Sequence, residues 1–502
     1  MDEETLISQH ENGSEEESST EPRAPHKLNL RYVLTAIIIF LFLYILPILS
    51  SYPCAHTCFA ILVTSCFLWI TEAIPSFATA YLIPFLNVVF RTGVDQKTGE
   101  RIPASELAQV YTSCFMNPII FVFLSSLVLS TALQKLNITT RISNFILGKV
   151  SPNPKTILLV LMFLNVGMGS LISNVASTTL TLSFSLPIIR RLNPDDPFIK
   201  AILFGIAWSG NCAGMPTTIA SPQNVIASNI VNQSDKHISF IQWILFALPQ
   251  SIFICFIEWL YLVKRFPEHP GNNVVIINGQ WKKHEKWSNL QIQAIVITLI
   301  TILLWSLGDK VGSIFGHIGI SAMIPIIWFF SNGTLTLEDF NSIKWSTLVL
   351  LGGGLALGES MKISGLLDLI PKATEKILSG ISLPFLIVTL LSLVGIFGSI
   401  LSSTTAASIL FPLIMAIGKS TGRPQLLVLL STLMISGAQL FHISSFPNAL
   451  VSGVCPETEP SLGEKKPFLS GSDYIRIGWP TLIIIVIIIS IFGYSILSFL
   501  GF

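Results

Sequence analysis

Two apolar regions of this sequence are interrupted by the same pair of short polar breaks. In the first region, Ser-Asn-Val at 173–175 precedes Ser-Pro-Gln-Asn at 221–224. In the second, Ser-Ser-Thr at 402–404 precedes Ser-Phe-Pro-Asn at 445–448. Interrupted apolar segments at matching positions of two halves are the best sequence pointer to the binding site of a membrane transporter. The pattern therefore predicts a duplicated membrane fold and the location of its site.

The composition supports a chain embedded in lipid. The 502 residues are 51% hydrophobic and only 11% charged, whereas soluble domains average about 25% charged residues. Several apolar runs are long enough to cross about 30 Å of hydrocarbon. The net charge of +1 gives no electrostatic reason to expect a nucleic-acid partner. We therefore predict an integral, multi-pass helical membrane protein in contact with membrane lipid.

The apolar runs and polar linkers divide the chain into a tail and two halves. The acidic tail, 1–29, is expected to be disordered and cytosolic, and the hydrophilic segment 265–289 is expected to be a cytosolic linker. For the first half, 30–264, the predicted parts are scaffold spans in 30–135, a re-entrant hairpin at 155–190 and a broken span at 199–231. For the second half, 290–502, they are scaffold spans in 290–361, a hairpin at 383–418, a broken span at 424–453 and a last span at 474–500.

The two halves are predicted to be an inverted repeat. Landmarks recur at a nearly constant separation, since Asn174 corresponds to Ser403 and Asn224 corresponds to Asn448. With about eleven spans and two re-entrant hairpins, a cytosolic N-terminus requires the halves to be inverted. That orientation also places more Lys and Arg on the cytosolic side, as membrane proteins do. The predicted fold class is an all-α polytopic membrane protein.

The hairpin ends are suited to an anion. The second arm of each hairpin starts at the tip, so its free N–H groups and positive dipole end face the break. Small hydroxyl and amide side chains there add donors without a buried cationic side chain. The residues expected to bind the anion are Ser173, Asn174, Ser402, Ser403 and Thr404, with Gln223 and Ser445 beside them.

Unwound helices are suited to a cation, because they free carbonyl oxygens. The residues expected to bind coupling cations, with sodium foremost, are Ser173, Asn174, Gly214, Ser221, Asn224, Ser403, Thr404 and Asn448. The alternative interpretation is that these small residues merely let helices pack closely. His442, beside the second break, is a candidate pH-sensitive group; a hydrogen-bonded structural histidine is the alternative.

Several motifs together resemble the divalent anion:sodium symporter family of the ion transporter superfamily. They are the segments 69–75 and 352–359, the two hairpin tips and the two breaks. The sequence is most similar to the low-affinity phosphate transporters of fungi and protists. The resemblance implies a scaffold with an elevator-type transport domain, a homodimer, sodium as coupling ion, and inorganic phosphate as substrate. Protons are an alternative coupling ion, and no cofactor is expected.

The resemblance leaves the substrate open between phosphate and a dicarboxylate or citrate. Carboxylate-transporting members usually carry Ser-Asn-Thr at both tips, whereas Val175 and Ser403 break that pattern here, which favours phosphate. A phosphate sensor or channel on the same fold is an alternative of another class. An enzyme is not expected, since no nucleophile–base pair or carboxylate dyad is evident.

Two expectations concern the N-terminal region. Fungal relatives often carry a long N-terminal domain that senses inositol polyphosphates, and we expect this chain to lack it because about thirty residues precede the first apolar run. The segment 2–7 resembles an acidic dileucine sorting signal. Such a signal would direct the protein to a vacuolar or endolysosomal membrane, so the expected location is the plasma membrane or a membrane of that kind.

Overall fold

The computed structural model describes residues 29–502 apart from 96–97, 151–152, 191, 235, 268–285, 308–311, 379 and 455–466. The regular secondary structure of these residues is helical. The β-type pairing among them is one isolated bridge between Val94 and Arg101. The all-α prediction is confirmed. The predictions for the acidic tail and for most of the 265–289 linker concern residues outside the described ranges.

The helices of the first half run from Leu30 to Arg265. They are α1 (Leu30–Ile45), α2 (Pro53–Thr71), α3 (Ser76–Val89), α4 (Ala104–Ser113), α5 (Pro118–Lys135), α6 (Ile138–Leu147), α7 (Pro154–Leu171), α8 (Asn174–Ile189), α9 (Phe198–Ala213), α10 (Pro222–Asn232) and α11 (Phe240–Arg265).

The helices of the second half begin at Asn289. They are α12 (Asn289–Leu307), α13 (Gly312–Phe315), α14 (Ile318–Ser321), α15 (Met323–Ser331), α16 (Leu337–Ser342), α17 (Trp345–Ile363), α18 (Leu366–Leu378), α19 (Leu383–Ile400), α20 (Ser403–Thr421), α21 (Pro424–Ser436), α22 (Phe446–Ser452) and α23 (Gly471–Ile488). A π-helical turn, Ile489–Gly493, joins α23 to α24 (Tyr494–Phe499).

Length and hydropathy make this an integral membrane protein. In the described part of the chain, eight helical segments are long and apolar enough to cross a membrane. Many large apolar side chains point outward, among them Ile45, Phe385 and Phe499. Outward apolar side chains on this scale are the expected surface of a protein surrounded by lipid tails.

Each hairpin is formed by two helices joined at a two-residue tip. Pro154 starts α7, where a missing N–H costs nothing, and the Asn153 side chain caps it by accepting from the Lys155 N–H at 2.9 Å. Ile172 and Ser173 turn the chain into α8, which packs back against α7. In the second half, Leu401 and Ser402 join α19 to α20 in the same way.

The broken helices of each half pack against the hairpin of the other half. Helix α9 contacts both arms of its own hairpin, α7 and α8, and also α22 of the second half. Helix α10 contacts α20 and α21 of the second half. Because the contacts cross in both directions, hairpins and broken helices form one interlocked body.

Glycines bring α17 close to its neighbours. A Cβ on Gly353 would lie 2.6 Å from the Ala80 Cα on α3, and a Cβ on Gly354 would lie 2.8 Å from the Ser408 Cβ on α20. Both distances are shorter than real carbon contacts, so only glycine allows this approach. Helix α17 therefore lies between α3 and the second hairpin.

The last long helix of each half fastens the break of its own half. Both α11 and α23 begin with a capping box, built on Ser239 and on Ser470. One turn later, the Trp243 Nε1–H donates to the Met215 carbonyl at 3.0 Å. At the matching place, the Tyr474 hydroxyl donates to the Asn448 carbonyl at 2.9 Å. Each break is thus held by an aromatic hydrogen-bond donor.

Candidate functional site

The first break, between Ala213 and Pro222, presents an open oxygen. The Gly214 carbonyl accepts from the Ser221 hydroxyl at 2.6 Å and from the Asn224 Nδ2 at 2.7 Å. The same Nδ2 donates to the Thr217 carbonyl at 2.7 Å. These bonds fix the Asn224 amide, and its Oδ1 is buried without a hydrogen-bond partner in the described protein. A buried oxygen without a donor is suited to a hard cation such as sodium.

The first hairpin tip is docked on this break. Ser173 caps α8 by accepting from the Ala176 N–H at 3.3 Å, and the Asn174 N–H donates to the Ala220 carbonyl at 3.1 Å. The half-buried Asn174 side-chain amide makes no hydrogen bond within the described residues. A Cβ placed on Gly214 would lie 3.0 Å from its Nδ2. An open amide therefore lies directly over the break.

If the first break binds sodium, as the sequence predicts, Gly214→Ala is expected to weaken that binding. The added Cβ would lie 3.0 Å from the Asn174 Nδ2 and 3.1 Å from the Ser221 Oγ, so tip and break must move apart. A displacement that costs about 1.4 kcal/mol raises the sodium concentration for half-maximal transport about tenfold. Sodium titration of transport measures it, with Gly167→Ala as control because a Cβ there meets nothing within 4 Å. Equal sodium dependence in wild type and Gly214→Ala would argue against a cation at this break.

The second break, between Ser436 and Phe446, has the same sequence plan but different hydrogen bonding. Ser445 caps α22 by accepting from the Asn448 N–H at 3.3 Å and donates to the Asn211 Oδ1 at 2.7 Å. The Asn448 Nδ2 donates to the Phe441 carbonyl at 3.0 Å, and its Oδ1 accepts from the Asn211 Nδ2 at 3.2 Å. The oxygen that is open on Asn224 is therefore occupied on Asn448.

The second hairpin tip carries two hydroxyls that are free to bind a ligand. Ser402 is exposed, and its hydroxyl caps α20 through the Thr405 N–H at 3.4 Å and lies 2.8 Å from the Thr405 hydroxyl. Ser403 and Thr404 are half-buried, and their hydroxyls make no hydrogen bond within the described chain. The Leu440 N–H donates to the Ser399 hydroxyl at 3.4 Å, which joins the second break to the first arm of this hairpin.

Two further predicted residues lie within the breaks and have contacts of their own. Gln223 is buried, and its Nε2 donates to the Ser436 hydroxyl at 3.0 Å, so it ties α10 to α21 of the other half. The exposed ring of His442 lies 6.3 Å from the ring of Tyr474. Several of the predicted residues have a side-chain polar group that makes no hydrogen bond within the described chain. At the tips and the first break, these groups are the Asn174 amide, the Asn224 Oδ1 and the hydroxyls of Ser403 and Thr404.

Sequence analysis missed the amides that join the two breaks. Asn211 is buried in the last turn of α9, and its Nδ2 lies 3.5 Å from the Oε1 of Gln439, 228 positions away. The signal was present, because a Ser-Gly pair precedes an amide in both halves, at 209–211 and at 436–439. Asn211 also bonds Ser445 and Asn448, so it connects the first half to the second break.

The charged residues of the hairpin arms lie away from the tips. Lys155 begins α7, and Lys419 lies near the far end of α20, where it pairs with Asp368 at 3.4 Å. Between these ends the four hairpin arms contain no charged residue. Among the described residues there is also no group of three or more His, Cys, Asp and Glu that would hold a metal. An ion at this site would be bound by neutral oxygens, amides and helix dipoles.

Comparison with known proteins gives consistent matches. A family model described as "Citrate transporter" (CitMHS) matches residues 66–434. The chain is 30% identical to the inorganic phosphate transporter PHO87 of Saccharomyces cerevisiae, over 89% of this chain and 47% of that protein. It is 25% identical to the sodium-dependent dicarboxylate transporter SdcS of Staphylococcus saprophyticus, over 77% of each chain. The chain spans about half the length of the curated yeast relatives it matches, from 47% to 54%.

A solved structure shares the fold. The YdaH transporter of Alcanivorax borkumensis matches with a TM-score of 0.52 and 13% sequence identity, over 85% of this chain and 99% of that one. At this identity the likeness concerns the backbone arrangement and not the ligand.

Proposed function

Because this chain belongs to the citrate transporter family, we propose that it is a secondary active transporter that carries inorganic phosphate across a membrane together with sodium. The observation that carries the proposal is the set of open polar groups at the tips and breaks, on hairpin arms whose charged residues lie away from the tips. One lysine lies beside the second break, where the Lys344 Nζ is 4.6 Å from the centre of the Phe446 ring. Phosphate is a small oxyanion that accepts hydrogen bonds on every oxygen, so the Asn174 amide and the hydroxyls of Ser403 and Thr404 suit it. The match to PHO87, named as a phosphate transporter, points the same way.

Sodium has both a site and an electrical role. The open Asn224 Oδ1 is a ligand of the type that sodium prefers. Each charge that crosses 100 mV is worth about 2.3 kcal/mol, so a phosphate dianion entering a negative interior is opposed by about 4.6 kcal/mol. Two sodium ions would cancel that charge, and a third would make entry electrically favourable. The match to SdcS, named as sodium-dependent, supports sodium over protons as the main coupling ion.

The transport cycle is proposed to be of the elevator type. The hairpins and broken helices pack across the two halves, which supports their movement as one body. Helix α17 packs against both α3 and α20, so it borders the surface along which that body would slide. We also expect a homodimer, which light scattering of the purified protein tests. The N-terminus is expected to be cytosolic, and the membrane is expected to be the plasma membrane or a vacuolar or endolysosomal membrane. Imaging of a tagged chain tests the location.

Asn174→Ala and Thr404→Ala are expected to reduce sodium-driven phosphate uptake by at least about tenfold, because each removes a hydrogen bond to an anion worth roughly 1.5–3 kcal/mol. Uptake of radiolabelled phosphate by purified protein in proteoliposomes, under an inward sodium gradient, measures the effect. Thr179→Ala is the matched control, since Thr179 is exposed on α8 and its hydroxyl donates to the Val175 carbonyl. Wild-type uptake in both site variants would show that the site lies elsewhere.

Transport of a dicarboxylate or citrate is the second candidate, favoured by the match to SdcS and by the name of the family. Counterflow of radiolabelled phosphate, challenged with succinate or citrate, separates the two. Strong competition at low carboxylate concentration would reject phosphate as the main substrate. A channel or sensor is excluded by uptake that saturates and is accelerated by phosphate on the opposite side.

A further inference from the structure

A carboxyl group is buried beside the second break. Glu258, on α11, is 2% exposed. Its Oε1 accepts from the Gln439 Nε2 at 2.9 Å, and its Oε2 accepts from the Cys212 thiol at 3.4 Å. In the described part of the chain no Lys, Arg or His forms an ion pair with it. The carboxyl is therefore solvated by one amide and one thiol, both neutral.

Glu258 is connected to the second break through two amides. Gln439 donates to both Glu258 and the Thr481 hydroxyl, the latter at 3.0 Å. Its Oε1 lies 3.5 Å from the Asn211 Nδ2, and Asn211 in turn bonds Ser445 and Asn448. The Glu258 carboxyl is thus linked to the second break by a series of contacts between buried side chains.

The ionisable residues around Glu258 lie on α11 itself and on the elements packed against it. Helix α11 packs against α7, α9, α12, α23 and the π-helical turn. The ionisable residues on these elements and on α11 itself are Lys155, Lys200, Cys212, Asp473, Tyr474, Arg476, Cys255, Tyr261, Lys264 and Arg265. Of these, Cys212 donates a hydrogen bond to the carboxyl. Lys155, Lys200 and Asp473 lie in the first turns of their helices. Lys200 forms an ion pair with Asp473 at 2.9 Å.

A carboxylate with two neutral donors is costly to bury, whereas the protonated acid is not. We propose that Glu258 is a proton-binding site, and that its protonation state sets the position of Gln439 and, through Asn211, the geometry of the second break. The carboxylate takes up one proton from water to form the acid O–H and returns it to water on release. Glu258 is a positioning residue here, since it acts on the break through Gln439.

Glu258→Gln tests the proposal, because the carboxamide keeps the shape of the protonated acid and cannot titrate. Wild-type phosphate flux is expected to fall at alkaline pH by up to about tenfold per pH unit, as for loss of one proton. The variant is expected to keep its flux there. The protonation of phosphate in solution changes with pH in the same way for both proteins. The ratio of variant flux to wild-type flux therefore reports only the effect of residue 258 on the pH dependence. An equal pH profile in both proteins overturns the proposal, and so does a folded variant that is inactive at every pH.

Infrared difference spectroscopy provides a second test that needs no transported substrate. A pH step is expected to remove the band of a protonated carboxyl in wild type, and this band is expected to be absent from Glu258→Gln. Thr481→Val is the matched control, because it removes the hydroxyl that accepts from Gln439 and leaves the Glu258 carboxyl in place. This variant should keep both the carboxyl band and the wild-type pH profile of phosphate flux. A wild-type protein with no titrating carboxyl band overturns the proposal even if the variant does not fold.

Discussion

Asn211→Leu is expected to abolish transport and to lower the free energy of unfolding by roughly 2–5 kcal/mol, because buried polar groups left without partners cost about 1–3 kcal/mol each. Leucine has the same number and branching of side-chain heavy atoms as asparagine but removes three contacts. The Ser445 hydroxyl loses its acceptor, and the oxygens of Asn448 and Gln439 lose the Nδ2 donor. Ser445, Asn448 and Gln439 all lie in or next to the second break. The substitution therefore removes every hydrogen bond by which the Asn211 side chain ties α9 to that break.

Thermal unfolding of the purified protein, followed by intrinsic fluorescence, measures the loss of stability, and phosphate uptake measures the loss of function. Ser445→Ala is the graded comparison, because it removes one of the three contacts together with the cap of α22, and it should cost about 1–2 kcal/mol. An Asn211→Leu protein that unfolds and transports like wild type would mean that the breaks do not depend on this connection.

Gly210→Val is expected to prevent assembly of the site altogether. A Cβ at this position would lie 2.9 Å from the Pro447 Cβ and still closer to the Thr178 hydroxyl oxygen. It would therefore push α9 away from α8 of its own half and from α22 of the other half. Overpacking of this kind typically costs 1–3 kcal/mol, and two branched methyl groups add further contacts.

The expected result is little folded protein on size-exclusion chromatography and no phosphate uptake from what remains. Gly167→Val is the matched control, because Gly167 lies on α7 and a Cβ there meets nothing within 4 Å. A monodisperse, active Gly210→Val protein would show that the close approach of the three helices is dispensable.

Much of the fold follows from local sequence. Asn153 and Pro154 set the start of the first hairpin, and Ser173 and Ser402 start the second arms, because their side chains cap the helices that follow. The family resemblance drawn from short motifs is confirmed by the family match. The predicted site residues stay predictions, although the structure brings the first tip onto the first break.

The roles of individual polar side chains could not be predicted, because their partners come from distant parts of the chain. Asn224 and Asn448 occupy equivalent places in the two breaks, yet only Asn448 receives a donor, and that donor is Asn211 from the other half. The bond from the Gln223 amide to Ser436, across the two halves, is likewise not visible in local sequence. Hydrophobic pattern shows which face of a helix is buried, not which polar group it meets there.

The proposed transport function requires the hairpin tips and helix breaks to hold an anion together with its cation. A cryo-EM map of the protein in lipid nanodiscs with sodium phosphate tests it most directly, compared with a map in choline chloride. Phosphate-dependent density is expected within hydrogen-bond distance of the Asn174 amide and the hydroxyls of Ser403 and Thr404. Density at another place, or tips at 173–174 and 402–404 that face lipid, would contradict it.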